Sequence, residues 1–331
     1  MERLCDLYFE LSNEERLMML HLLKERSDTL TGLSERLQVR NQQCSRHLSR
    51  LTEIGLIQKN VEGGYDITSY GSAILRLQPT LGFLTGNSEY FMDHSLAGLP
   101  DASLNSIGML SKADQVKDLN LAQFLIAKII DEADEELYEA TNQFHLNTIQ
   151  PRNEALKRGV RLTSIESYDT VMPDSIREWF RSNPDYATTS FDVRDQGLVC
   201  EFVVPRLTYI LHMSENEAFI AFPLTAGGFD FTGFASRDHD FLEWCRTLFA
   251  STSSASTPKG EKIREYYSKV LQDESLVGEI SDFKGPTEKL LENDLVSGSN
   301  LTVIGEIIRL YLNREVPLSL VDPEAYWKQM K

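Results

Sequence analysis

The apolar positions of residues 41–54 recur at the spacing of one face of an α-helix. They are Cys44, Leu48, Leu51 and Ile54. Separations of four and three residues allow them to be buried together. The opposite face is polar and has no acidic residue before Glu53; its members are Gln42, Gln43, Ser45, Arg46, Ser49 and Arg50. Such groups hold phosphates and read base edges, whereas an ordinary solvated face mixes charges of both signs. The pattern favours a DNA recognition helix, with Asn41 as N-cap, over a plain amphipathic surface helix.

The residues before this helix predict two more helices. Asn13 caps a helix that runs to Arg26, and a second, short helix begins near Thr31. Residues 38–41 then form the turn into the recognition helix. This order is the helix-turn-helix arrangement.

The residues after it predict a wing and a closing helix. Residues 55–59 and 65–67 are two strands joined by a turn at 62–64, and Thr68 caps a last helix that Pro79 ends. Three helices, a β-hairpin wing and this closing helix make a winged helix domain over residues 1–78. Its candidate DNA contacts outside the recognition helix are Arg40, Lys59, Gly63 and Gly64.

The winged domain resembles that of arsenic-repressor-type regulators. The shared residues are Ser45-Arg46-His47-Leu48, Gly55-Leu56, and a wing that closes on Thr68-Ser69-Tyr70-Gly71. The cysteine pair that binds metal in the founding members is absent. Cys44 occupies the buried face, where a small apolar residue belongs, so we interpret it as core rather than as a metal ligand.

Charge is distributed unevenly along the chain. The whole protein has 33 basic and 50 acidic residues, a net charge of −17, which alone argues against nucleic-acid binding. Residues 31–60, however, contain five Lys and Arg against two Asp and Glu, a net of +3. A local basic footprint is sufficient to bind a duplex backbone, particularly when a dimer doubles it.

Length and cysteine usage limit the class of protein. A chain of 331 residues predicts two or three domains, and no apolar run reaches the roughly 18 residues that a membrane span needs. The first residues show no secretion signal, and the four cysteines stand singly without a zinc pattern. We therefore expect a soluble cytoplasmic protein without metal or cofactor.

Helices and strands alternate in the middle of the chain. Residues 79–118 are interpreted as a connecting segment, although 89–94 could form a short helix and 104–109 a first strand. Helices at 121–133 and 148–158 alternate with strands at 137–140 and 160–165, which predicts an α/β layer with some parallel pairing. After a helix around Trp179, four strands follow in succession, at 188–193, 197–204, 208–213 and 218–222; a helix at 238–251 completes the region.

This middle region resembles the ligand-sensor domain of archaeal methanogenesis-type regulators. The resemblance rests on the segments 155–162, 222–236 and 240–249. It implies a sensor domain with a mixed sheet over residues 119–252, behind a DNA-binding winged helix. The family couples an incompletely defined small-molecule or partner signal to promoter occupancy. The fold expected for the whole chain is therefore a multidomain α+β and α/β architecture.

Two residues of the middle region are candidate ligand contacts. His212 lies in a predicted strand, and Asp230 is an acidic residue among aromatic ones. Their ordinary interpretations are a structural histidine and an aspartate that hydrogen-bonds its own turn, and both are more common. No phosphate loop or nucleophile elbow accompanies them, so an enzyme is the minority hypothesis.

The last part of the chain has no recognised family. Residues 253–260 have the composition of a linker. A helical extension follows over residues 261–331, with helices expected at 262–272 and 303–313; the second places Ile304, Ile307, Ile308 and Tyr311 on one face. The extension could pack on the sensor, form a dimer or contact another protein.

These observations together predict a homodimeric transcription regulator that binds double-stranded promoter DNA. Near the N-terminus, Leu4, Leu7, Tyr8 and Leu11 share a potential helix face. That face either belongs to the dimer contact or packs on the first helix of the winged domain. The competing hypotheses are a protein-interaction adaptor whose winged helix has lost DNA contact and, less favoured, an enzyme in the middle domain.

Overall fold

The computed structural model describes residues 1–183 and 197–313, and the chain divides into two units after Gly86. The strand expected at 188–193 lies outside the described residues, as does the side chain of Tyr311. The layout agrees with the expected fold class: helices with a small hairpin, then a mixed sheet, then C-terminal helices. None of the helices in the described ranges is long and apolar enough to cross a membrane.

The first unit contains five helices and one hairpin among its described residues. The helices are α1 (Glu2–Leu11), α2 (Glu14–Glu25), α3 (Leu30–Leu37), α4 (Asn41–Glu53) and α5 (Ser69–Gly86), and the antiparallel strands are β1 (Ile57–Lys59) and β2 (Tyr65–Ile67). Cys44, Leu48 and Leu51 of α4 are fully buried against apolar residues of α2 and α3. The apolar face that periodicity predicts for α4 is therefore the face that packs into the domain core.

Two helix ends of the first unit differ from the sequence-based expectation. Thr29, not Thr31, caps α3, because its hydroxyl accepts the Gly32 N–H at 3.1 Å. Helix α5 does not end at Pro79 but continues to Gly86. A proline inside a helix removes one hydrogen bond and crowds the preceding turn. Leu75 and Phe83, on either side of Pro79, are both buried, and their burial offsets this cost.

The second unit is built on an eight-stranded mixed sheet. Its strands are β3 (Asp114–Val116), β4 (Glu136–Ala140), β5 (Arg161–Ser167), β6 (Val199–Val204), β7 (Ile210–Ser214), β8 (Ala218–Ala221), β9 (Gly233–Ser236) and β10 (Thr257–Pro258). They are ordered β10-β6-β5-β4-β7-β8-β9-β3. β4, β5 and β6 are parallel neighbours, and every other pairing is antiparallel. The expected partly parallel α/β layer is therefore confirmed.

Helices cover both faces of this sheet. They are α6 (Ser88–Asp93), α7 (Asp101–Asn105), α8 (Leu119–Asp131), α9 (Leu146–Lys157), α10 (Asp174–Ser182) and α11 (His239–Ser254). Leu137 of β4 belongs to a core shared with α8 and α9, whereas the next residue, Tyr138, meets Phe249 of α11. Alternate residues of a strand point to opposite faces, so α11 covers the face opposite α8 and α9.

The strand expected at 104–109 is wrong. These residues belong to α7 and to a 3₁₀ turn at Ile107–Leu110, and the first strand of the sheet is β3 instead. Ile107 and Leu110 are both fully buried. Their separation of three residues fits a helical turn, whereas a half-buried strand buries every second residue.

The interpretation of residues 253–260 as a linker is also wrong. Helix α11 runs to Ser254, β10 pairs with β6, and α12 (Lys259–Leu271) begins directly afterwards. The serines that suggested a linker bond to nearby backbone: Ser254 donates to the Ala250 carbonyl at 2.8 Å, and Ser256 to Ser253 at 2.6 Å.

The C-terminal extension is a small helical layer with its own core. After α12 come α13 (Glu274–Ser281), α14 (Glu288–Glu292), the hairpin β11 (Val296–Ser297) and β12 (Asn300–Leu301), and α15 (Val303–Leu312). Ile304 and Ile308 of α15 are buried in this core, and Ile307 packs against it, as their helical spacing predicts. Both helices expected in this region are present.

A buried lysine joins this layer to the sheet. The Nζ atom of Lys259 lies 2.8 Å from Glu166 on β5 and 3.3 Å from Glu201 on β6. Replacing Lys259 with alanine removes the ammonium group that lies against two part-buried carboxylates, so we expect the free energy of unfolding to fall by about 2 kcal/mol. Chemical denaturation measures this change. The matched variant Lys157→Ala removes a surface pair and should cost less than about 0.5 kcal/mol; equal effects would contradict the role of Lys259.

Candidate nucleic-acid interface

Helix α4 presents its polar face to solvent. Its candidate residues are all exposed: Gln42, Gln43, Ser45, Arg46, Ser49 and Arg50. The turn before it is short because Gln38 adopts the left-handed conformation, with φ of 55°, which ends α3. Arg40 follows and is also exposed. The exposed face and the turn agree with the arrangement expected from the sequence.

Asn41 does not cap α4, contrary to the expectation. Arg40 is the N-cap residue, and Asn41 is the first residue of the helix. The side-chain oxygen of Asn41 instead accepts the Ser34 hydroxyl at 2.5 Å, which ties α4 to α3. No side chain of the described residues caps α4. The N–H groups of Asn41 and Gln42 have no acceptor among the described residues, whereas that of Gln43 donates to the Arg40 carbonyl at 2.9 Å. The first two are therefore available to an anion such as a phosphate.

Two carboxylates from α1 and α2 reach the recognition face. Glu15 accepts both bonds of the Gln43 amide, at 2.8 and 2.7 Å, and lies 2.7 Å from Nε2 of His47. Glu10, only 7% exposed, lies 3.0 Å from Arg50 and 3.0 Å from Arg16. Gln43 and Arg50 are thus oriented by acids, whereas Gln42, Ser45, Arg46 and Ser49 have no side-chain partner among the described residues.

The position of Arg50 also depends on an aromatic ring. Its guanidinium lies 5.8 Å from the centre of the Phe9 ring, and that of Arg16 lies 5.9 Å from it. The Arg50 side chain remains half exposed. A guanidinium has five N–H donors, so one bond to Glu10 leaves others free for DNA. Sequence reasoning missed Glu10, because 40 residues separate it from Arg50 and local spacing carries no signal of the pair.

The wing is a tight hairpin with an ordered turn. The Asn60 side-chain oxygen accepts the N–H groups of Glu62 at 3.1 Å and Gly64 at 2.8 Å. Gly63 has φ of +86°, a conformation that side chains disfavour, and a Cβ there would meet open space. Lys59 is exposed at the end of β1. Lys59 and Gly63 are therefore exposed where the wing can approach a DNA backbone, whereas Gly64 is buried.

The Thr68-x-x-Gly71 close has a steric reason. The Thr68 hydroxyl donates to the Gly55 carbonyl at 2.7 Å and accepts the Gly71 N–H at 3.0 Å, so it caps α5 and fixes the end of the wing. A Cβ on Gly71 would lie 2.1 Å from the Leu56 carbonyl oxygen. Only glycine lets α5 approach the wing this closely.

Comparison with known proteins agrees with this geometry. Residues 11–59 match the model of a helix-turn-helix domain. The first unit is a winged helix-turn-helix domain. The match covers α2, α3, α4 and β1, so it includes the recognition helix and the first strand of the wing. No curated protein matches the chain.

Two solved structures are similar to the chain at low identity. One is TrmBL2, described as an archaeal chromatin protein that shows a novel mode of DNA binding; it shares 12% identity at a TM-score of 0.35, over 74% of this chain and 94% of the other. The second is the apo form of the S-adenosylmethionine-dependent methyltransferase SibL, with 14% identity, a TM-score of 0.24, and coverage of 60% and 62%. At these TM-scores neither similarity shows a shared fold.

Cys44 of the winged helix-turn-helix domain belongs to its core, as expected. The side chain is fully buried, and its thiol lies 3.5 Å from the Leu30 carbonyl oxygen. Burial raises the pKa of this thiol, and the charge of Asp28 adds to the shift. Among the described residues, no group of three His, Cys, Asp or Glu side chains could hold a metal ion.

In the second unit, His212 lies within a buried polar cluster. It is 2% exposed, and its Nδ1 lies 3.6 Å from Glu139, longer than a normal hydrogen bond. Arg152 of α9 pairs with the same carboxylate at 3.0 Å. Burial alone would raise the pKa of Glu139, but the charges of Arg152 and His212 lower it to about 2. Burial, followed by the charges of His212 and Arg152, lowers the pKa of nearby His145.

Asp230 lies in a separate cluster. Its carboxylate is 3.2 Å from Nε2 of His94 and accepts both the N–H and the hydroxyl of Thr232 at 2.9 Å. Burial would raise the pKa of Asp230, but its bonds to Thr232 and His94 lower it. His94 also stacks on Tyr90, with ring centroids 3.8 Å apart. The two candidate ligand contacts are therefore not brought together, and each has structural neighbours.

A cavity of about 540 Å³ lies elsewhere in the second unit. Two parts of the chain form its walls: the loops that come after four of the strands, and a part of the C-terminal extension. The lining residues are Asn142, Ser167, Tyr168, Asp169, Pro205, Arg206, Leu207, Pro223, Gly228, Phe229, Asp294, Val296, Ser297 and Thr302. Neither His212 nor Asp230 lines it. Sequence reasoning missed this cavity because its walls come from five distant segments of the chain.

Proposed function

We propose that the protein is a cytoplasmic transcription regulator that inserts α4 into the major groove of promoter DNA. The observation that carries this proposal is the exposed face of α4, where Gln42, Ser45, Arg46 and Ser49 are available to a duplex. A recognition helix of this kind reads bases with its N-terminal residues. The uncapped N-terminus of α4 adds N–H groups for a phosphate.

The acidic residues near this face support selective binding. Glu10 orients Arg50 and Glu15 orients Gln43, so these two side chains lose little conformational entropy when they meet DNA. Negative charge beside the interface also weakens contact with phosphates in general. We therefore expect modest affinity for random DNA and a clear preference for a specific operator.

Selection from genomic fragments tests the proposal directly. Fragments of the source organism's DNA that the full-length protein retains should share a sequence motif at physiological salt. A motif with two-fold symmetry supports the homodimer, since paired recognition helices read half-sites about 34–36 Å apart. Retention without any motif would indicate sequence-independent binding and contradict an operator-specific regulator, and no retention would favour the protein-interaction adaptor.

The proposed homodimer has an apolar surface on the winged helix-turn-helix domain. Leu7 is buried and Leu11 packs on the domain core, but Leu4 is 45% and Tyr8 55% exposed. Helix α5 exposes Leu77 and Leu81, which are four residues apart and share a face. Single exposed apolar residues are ordinary, but pairs on two helices fit a dimer contact better.

Charged substitutions on α5 test the dimer. Leu77→Glu combined with Leu81→Glu should convert a dimer to a monomer, because burying two carboxylates against a partner is unfavourable. Size-exclusion chromatography with light scattering reports the mass. The control is Gly82→Glu, which places a charge at an exposed position of α5 outside the face shared by Leu77 and Leu81, where a side chain meets open space. A dimer that persists in the double variant would exclude this surface.

We propose further that the second unit acts by binding a small-molecule effector and has no catalytic role. His94 is held by Tyr90, Thr232 and Asp230, which supports a structural role for this histidine. Thermal shift with a metabolite collection, followed by chemical analysis of any stabilising compound, separates the alternatives. An effector is recovered unchanged, whereas the substrate of an enzyme is consumed.

A further inference from the structure

The large cavity of the second unit lies at one edge of the sheet. β4, β5 and β6 are parallel, and β8 runs in the same direction because β7 is antiparallel to both β4 and β8. The residues after the carboxyl ends of these four strands line the cavity: Asn142 after β4, Tyr168 and Asp169 after β5, Arg206 after β6, and Pro223 after β8. Ligands of open α/β sheets bind in the crevice outside the carboxyl ends of parallel strands.

The C-terminal extension forms the remaining wall. Asp294, Val296, Ser297 and Thr302 line the cavity from the region of the β11–β12 hairpin. The extension is attached beside the cavity, since the Val303 N–H donates to the Thr170 carbonyl at 2.7 Å. The volume of about 540 Å³ lies within the range of small-molecule sites. The extension thus completes a space that the sheet alone leaves open.

The walls offer polar groups that lack partners within residues 1–183 and 197–313. The side-chain oxygen of Asn142 is buried and accepts no hydrogen bond from the described residues. Such an orphan acceptor calls for an N–H or O–H donor. Asp169 and Arg206 are exposed to the cavity, and neither has an ion-pair partner in the part of the chain that the structure describes. The cavity therefore carries a carboxylate and a guanidinium that are both unpaired among the described residues.

We infer that this cavity is the effector site of the proposed regulator and that it takes a small organic zwitterion, with an ammonium and a carboxylate group, as in an amino acid. The ammonium group donates to the Asn142 oxygen and neutralises Asp169. The carboxylate accepts two parallel bonds from Arg206, the geometry that a guanidinium favours. Leu207, Phe229 and Val296 supply apolar wall for the rest of the ligand. The assignment of an effector rests on the proposed function, whereas the ligand class rests on the cavity itself.

Isothermal titration of the full-length protein with each proteinogenic L-amino acid tests this inference. At least one should bind and raise the melting temperature, because a ligand that binds only the folded state stabilises it. The amine that lacks the carboxylate and the N-acetyl derivative that lacks the ammonium should each bind about tenfold more weakly or worse. Binding of no amino acid, or equal binding of the amine, overturns the inference.

Three variants test whether the amino acid binds in this cavity. Arg206→Gln and Asn142→Ala should each weaken the affinity by about tenfold or more, and Ser297→Trp should abolish binding by filling the space. The matched control is Lys117→Gln, an exposed cation of the same unit outside the cavity. Arg206 is exposed, so its variant should fold, which circular dichroism verifies. Unchanged affinity in both Arg206→Gln and Ser297→Trp overturns the location.

The titration contains no DNA, so its result is independent of the operator selection. Amino-acid binding without a DNA motif would support the proposed ligand site and contradict the proposed regulator function. A DNA motif without amino-acid binding would support the proposed regulator function and contradict the proposed ligand site.

Discussion

Replacing Arg46 with alanine should lower operator affinity by about ten- to a hundredfold, the cost of losing one base or phosphate contact, at about 1–3 kcal/mol. Arg46 is exposed in the middle of α4 and has no partner among the described residues. The variant should therefore fold as the parent does, and its loss should appear only in binding. Fluorescence anisotropy with the selected operator measures the change.

The salt dependence shows which contact Arg46 makes. Loss of a phosphate contact lowers the slope of log K against log salt by about 0.9, whereas loss of a base contact relaxes sequence preference at one position. Arg26→Ala is the matched control, since Arg26 is exposed on the same domain but lies outside α4. Unchanged affinity of Arg46→Ala would remove α4 from the mechanism.

Arg50 requires a different experiment, although it lies on the same face. Arg50→Ala also deprives buried Glu10 of one of its two cationic partners. A loss of affinity in this variant therefore combines a missing DNA contact with a rearranged α1. The double variant Arg46→Ala with Arg50→Ala should bind most weakly and flatten the salt dependence further. Its unfolding transition must be measured alongside the binding.

Glu139→Gln should destabilise the second unit by about 3 kcal/mol at neutral pH, because it leaves Arg152 and His212 beside a neutral amide in the interior. The folded-state pKa of Glu139 is about 2, below its ordinary value of 4.5. A carboxyl whose pKa is lowered by folding stabilises the protein at pH values above its unfolded pKa. This stability disappears as the pH falls through the folded pKa.

The pH dependence separates charge from packing. The stability difference between parent and Glu139→Gln should be constant above about pH 5.5 and shrink steadily between about pH 5 and pH 2. Denaturant unfolding at a series of pH values measures it. Glu154→Gln on the exposed side of α9 is the control and should change stability by less than about 0.5 kcal/mol. A pH-independent difference for Glu139→Gln would indicate lost packing instead.

The recognition helix could be predicted from sequence because its evidence is local. The buried face of α4 and its polar face lie within 14 consecutive residues, and periodicity reads both. The parallel pairing of β4 and β5 could also be predicted from sequence, since parallel neighbours need a connection such as the helix between them. Helix boundaries are harder to predict from sequence. The continuation of α5 through Pro79 depends on the burial of Phe83, which no local pattern reveals.

The remaining features depend on contacts between distant residues. Glu10 meets Arg50, and Lys259 meets Glu166 and Glu201, at separations of 40, 93 and 58 residues. A serine-rich segment has the same composition whether it is a free linker or, as here, the end of a helix followed by an edge strand. Tertiary hydrogen bonds decide between these outcomes, and a single sequence does not show them.

The short strand β10 has a consequence for shortened forms of the protein. It pairs Thr257 and Pro258 with Val203 and Phe202, and so occupies the outer edge of the sheet beside β6. A chain cut at residue 252 would leave the N–H and C=O groups of β6 open to strands of other molecules. We therefore expect such a form to aggregate. This strand protects the edge of the sheet against association between copies, so a soluble fragment of the second unit should retain β10.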